Sequence, residues 1–344
     1  MMPVRIAQIG VGHDHASSTY DSLKRQTGLF ELVGIAEPDA SRAVYEGARR
    51  YTVEELLAMP DLEAVAIETE ERLSTQYAQA FAERGVAVHL DKPGSQDLAA
   101  FTRLVETLRA KSLPLHMGYM YRYNPTIRRA LDRAKSGELG ELFSVEAQMS
   151  VHHTPEKRQW LSQFKGGMMF FLGCHLVDLV LQAQGMPEEV IPYNACTGVE
   201  CADTEDFGFA VLRYKNGASF VKTCAAEYNG FARRQLVLCG SRGTIEIRPL
   251  EDNRPNGLAH TRAAYTLASD NPPDWHDGSE IHEGQTHRYD EMMASFARIV
   301  RGEANPYTYD YELALFQTIL RCCGSAVPTS TCCRQGHANL SAID

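Results

Sequence analysis

The sequence is short of positive charge: 34 Lys and Arg stand against 44 Asp and Glu, a net charge of −10. That deficit argues against nucleic acid or an anionic membrane surface as partner, because both want a basic face. No apolar run reaches the ~18 residues of a spanning helix. The opening Met1-Met2-Pro3-Val4-Arg5-Ile6-Ala7 lacks the long apolar stretch of a secretory signal. Nine cysteines are present, an odd number, and none has the two-residue gap of a zinc knuckle. Cys322-Cys323 and Cys332-Cys333 are adjacent pairs, which read as reduced thiols in a cytoplasmic protein. Internal repeats and low-complexity tracts are missing too, and with them the solenoid and disordered classes.

What is present is an ordinary globular mixture, 44% apolar and 23% charged over 344 residues. At roughly 100–200 residues per domain, that length predicts two domains. The first third alternates short apolar strands (4–10, 32–36, 64–67, 86–90, 113–118) with amphipathic helices (16–27, 74–84, 96–110). This grammar predicts a doubly wound parallel sheet covered on both faces, a Rossmann domain over 1–120. Thr52 and Glu55 form a capping box for a short helix.

Beyond 120 the pattern changes. Strand-like runs at 142–151, 206–214, 218–227, 234–238 and 244–248 include a pair joined by Lys215-Asn216-Gly217, a hairpin turn. Helices are expected at 125–135, 167–182, 288–301 and 311–323, and 251–280 reads as a long loop. Residues 121–344 are therefore expected to form an α+β domain on an open, mostly antiparallel sheet.

Gly10-Val11-Gly12-His13-Asp14-His15 lies between the first strand and first helix, where backbone N–H groups can approach a pyrophosphate. The third glycine of a dinucleotide fingerprint is missing; His15 stands there. Glu37 closes the second strand, where a carboxylate accepts from ribose hydroxyls and repels a 2′-phosphate, so NAD is expected over NADP. Glu68, Thr69 and Glu70 after the third strand, and Asp91 after the fourth, complete the expected cofactor set. His13 and His15 also have the look of a metal half-site that His89, His116, His152, His153 or His175 would complete, but a polar lining of the turn is the preferred reading and no metal is expected.

Asp91-Lys92-Pro93 falls at a strand C-terminus, where open α/β sheets bind ligands. With it come Gly118-Tyr119-Met120-Tyr121-Arg122-Tyr123-Asn124-Pro125, Gly166-Gly167, Gly173-Cys174-His175-Leu176-Val177-Asp178 and Gly240-Ser241-Arg242-Gly243-Thr244-Ile245-Glu246. In this order the motifs resemble the glucose–fructose oxidoreductase, inositol dehydrogenase and rhizopine-catabolism family, Gfo/Idh/MocA, over nearly the whole chain. The resemblance implies hydride transfer between a sugar or polyol hydroxyl and NAD(P). Lys92 would position the hydroxyl and, as part of the cofactor set, the nicotinamide, and His175 would be the general acid/base. It further implies a homodimer or homotetramer built through the C-terminal sheet. An alcohol oxidation releases a proton with the hydride, which suits a group titrating near neutrality.

Two departures stand out. Phe171 occupies the position where the family usually carries an Asp, one helical turn before His175, and Glu70-Glu71 replace the family's Pro-Asn. An apolar neighbour would lower the pKa of His175. Glu68 and Glu70 are expected to add negative charge beside the nicotinamide. Tyr119, Tyr121, Arg122, His153, Trp160 and Asp178 make up the expected substrate-binding set, aromatic faces for C–H groups and polar groups for hydroxyls. The leading expectation is an NAD-dependent oxidoreductase acting on a secondary hydroxyl of a sugar, glycoside or polyol. The alternatives are a redox-neutral enzyme that cleaves or epimerises through a transient keto-sugar, and a non-catalytic cofactor- or sugar-binding regulator.

Overall fold

The computed structural model describes residues 2–254, 257–268 and 280–325. The Cys332-Cys333 pair lies outside the described residues, as do positions 269–279 of the expected long loop.

The N-terminal part alternates β1 (Val4–Ile9), α1 (Ala16–Arg25), β2 (Phe30–Ala36), α2 (Val53–Ala58), β3 (Ala64–Ile67), α3 (Glu71–Arg84), β4 (Ala87–Leu90), α4 (Leu98–Ala110) and β5 (Leu115–Met117). Its five strands are parallel in the order β2-β1-β3-β4-β5. Every residue of β3 and β4 is buried, as expected for strands covered on both faces. The chain order reverses between β2-β1 and β1-β3, and this switch point opens a crevice at the strand C-termini. The capping box at α2 is formed: Glu55 N–H donates to Thr52 Oγ1 (3.1 Å), and Thr52 N–H donates to Glu55 Oε2 (2.7 Å).

After a 3-10 turn at Met120–Tyr123 come α5 (Pro125–Lys135), β6 (Leu142–Ser150), α6 (Pro155–Leu161), a π turn at Met169–Gly173, α7 (Cys174–Gln184), β7 (Glu189–Pro192), β8 (Phe207–Tyr214), β9 (Gly217–Cys224), β10 (Gln235–Gly240), β11 (Gly243–Ile247), β12 (Asp252–Asn253), β13 (Ala259–Leu267), β14 (Glu280–Thr286), α8 (Asp290–Val300) and α9 (Tyr309–Cys322). The strands form one sheet, β12-β13-β11-β10-β6-β9-β8-β7, with β14 also paired to β13. All pairings are antiparallel except β6 with β9. The expected loop over 251–280 is corrected: β12 and the nine-residue β13 lie inside it. The Asn-, Pro- and Gly-rich flanks conceal a strand that pairing with β11 and β14 holds in place. The expected helix over 167–182 is present, with a π turn at Met169–Gly173 ahead of the long α part that begins at Cys174.

Arg122, in the 3-10 turn, fastens the two parts together. Its Nε and Nη2 donate to Asp178 of α7 at 2.9–3.1 Å, and its Nη1 and Nη2 donate to Glu312 of α9 at 2.5 and 3.0 Å. All three side chains are fully buried, and Tyr119, Tyr307 and Tyr311 lie around the guanidinium at 3.9–5.5 Å. The helix pair α8 and α9 returns to the N-terminal part: Phe316 packs on Phe101 at 4.7 Å, and Arg301 pairs with Glu63 at 2.6 Å.

Replacing Arg122 by Met leaves two carboxylates buried without their cation. The expected cost is about 3–5 kcal/mol, read as a lower urea midpoint; a loss under ~1 kcal/mol, the scale of an exposed pair, would show that the cluster does not hold the two parts.

Candidate active site

The turn after β1 is pressed from the side by the segment after β3. Gly10 has φ +89°, and a Cβ there would stand 2.6 Å from Thr69 Cγ2. Val11 N–H donates to Glu37 Oε2 at 2.6 Å, and Asp39 N–H donates to Oε1 at 2.8 Å, so the carboxylate closing β2 is held against the turn. Arg42 reaches across Gly12 to pair with Glu70 and with Asp39 (3.1 Å). No side chain caps the N-terminus of α1. A close glycine turn, a carboxylate at the ribose position and an uncapped helix end fit a dinucleotide. Gly10, Gly12, Glu37, Thr69 and Glu70 are brought to one groove. The expected negative charge of Glu70 is corrected: Arg42 and Arg72 both pair with it. Asp14 turns to the other part of the chain and meets Lys157 of α6 at 3.0 Å; that contact outweighs burial and holds its carboxyl below the usual range.

Beneath the groove is a buried polar cluster. Asp91 Oδ1 accepts from Lys92 N–H at 2.6 Å, which aims Oδ2 at His13 Nδ1 (3.1 Å) and His15 Nδ1 (3.0 Å). His13 Nε2 is 3.5 Å from Glu71, and Glu68 Oε2 is 3.9 Å from His13 Nδ1. Burial alone would raise Asp91, but His13 and His15 hold it well below the carboxylate range. Burial, then the Asp91 charge, pushes Glu68 well up, which disfavours the negative charge expected there from sequence. Burial pulls His15 down to about 4 despite Asp91, whereas for His13 the carboxylates Asp91 and Glu71 overcome burial and raise it.

Lys92 follows β4 and His175 lies on α7, near enough for the Lys92 charge to act on the imidazole. Lys92, 1% exposed, donates from Nζ to the carbonyl oxygen of Phe171 at 3.0 Å and lies 4.4 Å from that residue's ring centre. His175, 2% exposed, is flanked edge-on by Tyr121 (5.2 Å) and Tyr119 (5.8 Å), and its ring is 6.3 Å from His15. Its Nδ1 has no hydrogen-bond partner among the described residues. Burial, then Lys92 and His15, holds it neutral, well below the ordinary imidazole value. The Cys174 thiol is pushed up to about 12 by burial and is no nucleophile.

Around this pair, Tyr121 OH donates to Glu251 (3.0 Å), which also meets Arg234 (3.4 Å) and Arg288 (2.9 Å). Trp160 packs on Phe171 at 5.4 Å, with Lys157 3.8 Å over the indole. His153, half-buried and brought to about 4 by burial and then Lys157, stands 6.4 Å from Phe171. Arg122 and Asp178 depart from their expected substrate-facing role, because they neutralise each other inside the Arg122 cluster; Gln182 and Tyr311 donate to the same two Asp178 carboxylate oxygens. Sequence reasoning missed Lys157, Glu251, Arg288 and Tyr289, whose ring is 5.6 Å from His15. Glu251 opens the segment read as a loop, and Arg288 and Tyr289 open the helix expected over 288–301, so neither signal marked them as site residues.

Two family models match this chain: an oxidoreductase family NAD-binding Rossmann fold over residues 4–119, and a GFO/IDH/MocA C-terminal domain over 127–246. The chain belongs to the GFO/IDH/MocA oxidoreductase family. Family relatives include D-xylose 1-dehydrogenase [NADP(+)] of Haloarcula marismortui, 23% identical over 89% of this chain and 86% of that protein. An inositol 2-dehydrogenase of Corynebacterium glutamicum is 26% identical over 44% of this chain and 46% of its own length. Among solved structures, a 3-ketoreductase from Actinomadura kijaniata in complex with NADP and TDP-benzene superposes with TM-score 0.74 at 17% identity, covering 92% of this chain and 96% of that one. The fold and the NAD(P)-binding domain are thus those of GFO/IDH/MocA proteins. Among the described residues no helix is long and apolar enough to cross a membrane.

The depressed histidines predict acid sensitivity. His15, His89 and His153 each titrate at about 4 in the folded chain, below the ~6.5 of a free imidazole. Between those values the unfolded chain binds protons that the folded chain refuses, so stability falls as pH falls, by up to ~1.4 kcal/mol per pH unit for each group. The Asp91 contribution is lost only further down, and the raised His13 loses its contribution only as pH rises through its folded value. The melting temperature should drop from about pH 7 to about pH 5; a flat profile would contradict these assignments.

Proposed function

We propose that this GFO/IDH/MocA protein oxidises a secondary hydroxyl of a sugar, glycoside or polyol with NAD, using Lys92 and His175. The carrying observation is the pairing of a buried ammonium with a buried, neutral imidazole at the C-terminal edge of the parallel sheet. Bound NAD supplies the hydride acceptor. Lys92, aimed by the Phe171 carbonyl, donates to the carbinol oxygen and stabilises the developing alkoxide. His175, held neutral, takes the hydroxyl proton. The Phe171 carbonyl thereby serves as the anchor that a side-chain carboxylate would offer at this position.

Three observations support the remaining choices. Glu37 and Asp39 put two carboxylates beside the ribose position and Arg42 is already paired, which favours NAD over NADP. Tyr119, Tyr121, Trp160 and His153 offer aromatic faces and polar edges suited to a polyhydroxylated ligand. Phe143, Tyr193 and Ile281, 45–57% exposed on sheet strands or beside them, support assembly of a homodimer or homotetramer through that sheet. The deep burial of Lys92 and His175 supports a second reading, a redox-neutral cycle in which NAD stays bound and a transient keto-sugar is cleaved or epimerised.

A thermal-shift screen tests cofactor and substrate class, because the right ligand raises the melting temperature by mass action. NAD should stabilise more than NADP, and Glu37→Ala should remove the difference. Lys92→Ala should keep the NAD shift and lose about 100-fold or more of turnover. Normal turnover in that variant overturns the mechanism. Substrate-driven NADH release excludes the redox-neutral reading.

A further inference from the structure

The cluster under the cofactor turn holds more donor atoms than a dinucleotide needs. Asp91 Oδ2 is the shared point, 3.1 Å from His13 Nδ1 and 3.0 Å from His15 Nδ1. One donor atom from each of these three residues falls within 4.8 Å of the others. The two Asp91–imidazole separations, 3.1 and 3.0 Å, match the ~2.8–3.6 Å edges of a coordination polyhedron with metal–ligand bonds of ~2.0–2.2 Å. Asp91 Oδ1 is fixed by Lys92 N–H, His13 Nε2 lies 3.5 Å from Glu71, and His15 is the residue before α1.

An independent observation points to a cation. Glu68 is fully buried, and neither of its carboxylate oxygens has a hydrogen-bond partner among the described residues. Its Oε2 is directed to the same His13 Nδ1, at 3.9 Å. Buried polar groups without partners are rare and call for an explanation. A cation at the meeting point of Asp91 Oδ2 and the two imidazoles supplies one. The neighbouring ammonium of Lys92 donates to the Phe171 carbonyl instead.

We propose that His13, His15 and Asp91 form a binding site for one divalent transition-metal ion of the zinc class, with Glu68 as the adjacent carboxylate. Two imidazoles and a carboxylate are a borderline N/O set that suits zinc or cobalt over magnesium or calcium. Three protein ligands leave a coordination position open, and the side of the site that reaches solvent is at His15, whose side chain is 16% exposed. That open side lies toward His175, whose ring centre is 6.3 Å from that of His15. The ion replaces the 3.2 Å contact from His15 N–H to His13 Nδ1 together with the protons held between Asp91 and the two imidazoles, which binding releases.

The test uses the full chain stripped by a chelator, and needs neither NAD nor substrate, so its failure is separate from failure of the proposed oxidoreductase activity. Zn2+ is titrated by calorimetry and Co2+ by visible absorption. One ion per chain is expected, with the cobalt bands of N/O ligation and no thiolate charge-transfer band. His15→Ala should weaken binding about 100-fold or more. His15 caps no backbone group with its side chain, so this variant should fold even where Asp91→Asn does not. Absence of stoichiometric binding, unchanged affinity in His15→Ala, or a thiolate band from the cysteines would each overturn the site and leave a shared proton as the link between these side chains.

Discussion

The geometry of the cleft depends on Arg122. Its planar fork reaches from the crossover turn to Asp178 on α7 and Glu312 on α9. Asp178 lies three residues from His175, about one helical turn, so the fork that fixes Asp178 also fixes the rotation of α7 and with it the imidazole. The crossover follows directly from β5, which is paired to β4, and β4 delivers Asp91 and Lys92. One buried cation thus links the strand carrying Lys92 to the helix carrying His175. The aromatic rings that cover it are shared with the site: Tyr119 lies 4.5 Å from the Arg122 guanidinium and 5.8 Å from His175.

The π turn before α7 answers the apolar residue at position 171. Gly167, at φ +43°, comes against the backbone of Glu205, where a side chain would not fit. The chain then makes the wider turn over Met169–Gly173, and the Phe171 carbonyl receives the Lys92 ammonium. π turns re-aim backbone groups in this way at functional sites. A carbonyl orients the ammonium but does not neutralise it. The uncancelled charge of Lys92 acts on His175 together with burial, and both favour the neutral imidazole.

What was legible in the sequence was what local chemistry decides. Short all-apolar strands announced a covered parallel sheet, and Thr52 with Glu55 and the Asn216-Gly217 turn behaved as their side chains dictate. The strand Ala259–Leu267 was hidden because its flanks are turn-forming and its pairing partners are distant or follow it. Arg122 read as a sugar ligand because the Glu312 that claims it lies 190 residues away. The His13-x-His15 pair was visible, but its convergence on Asp91 needs β4 to end beside the β1 turn, a fact of sheet order and not of spacing.

The same sheet order makes the acids near the cleft unequal. Glu70 and Asp14 are each paired with a basic side chain from another segment, Arg42 and Lys157. Two imidazoles hold Asp91 well below the carboxylate range, and burial with that neighbouring charge pushes Glu68 well up. The two groups are therefore linked: a charge on Asp91 disfavours a second one on Glu68.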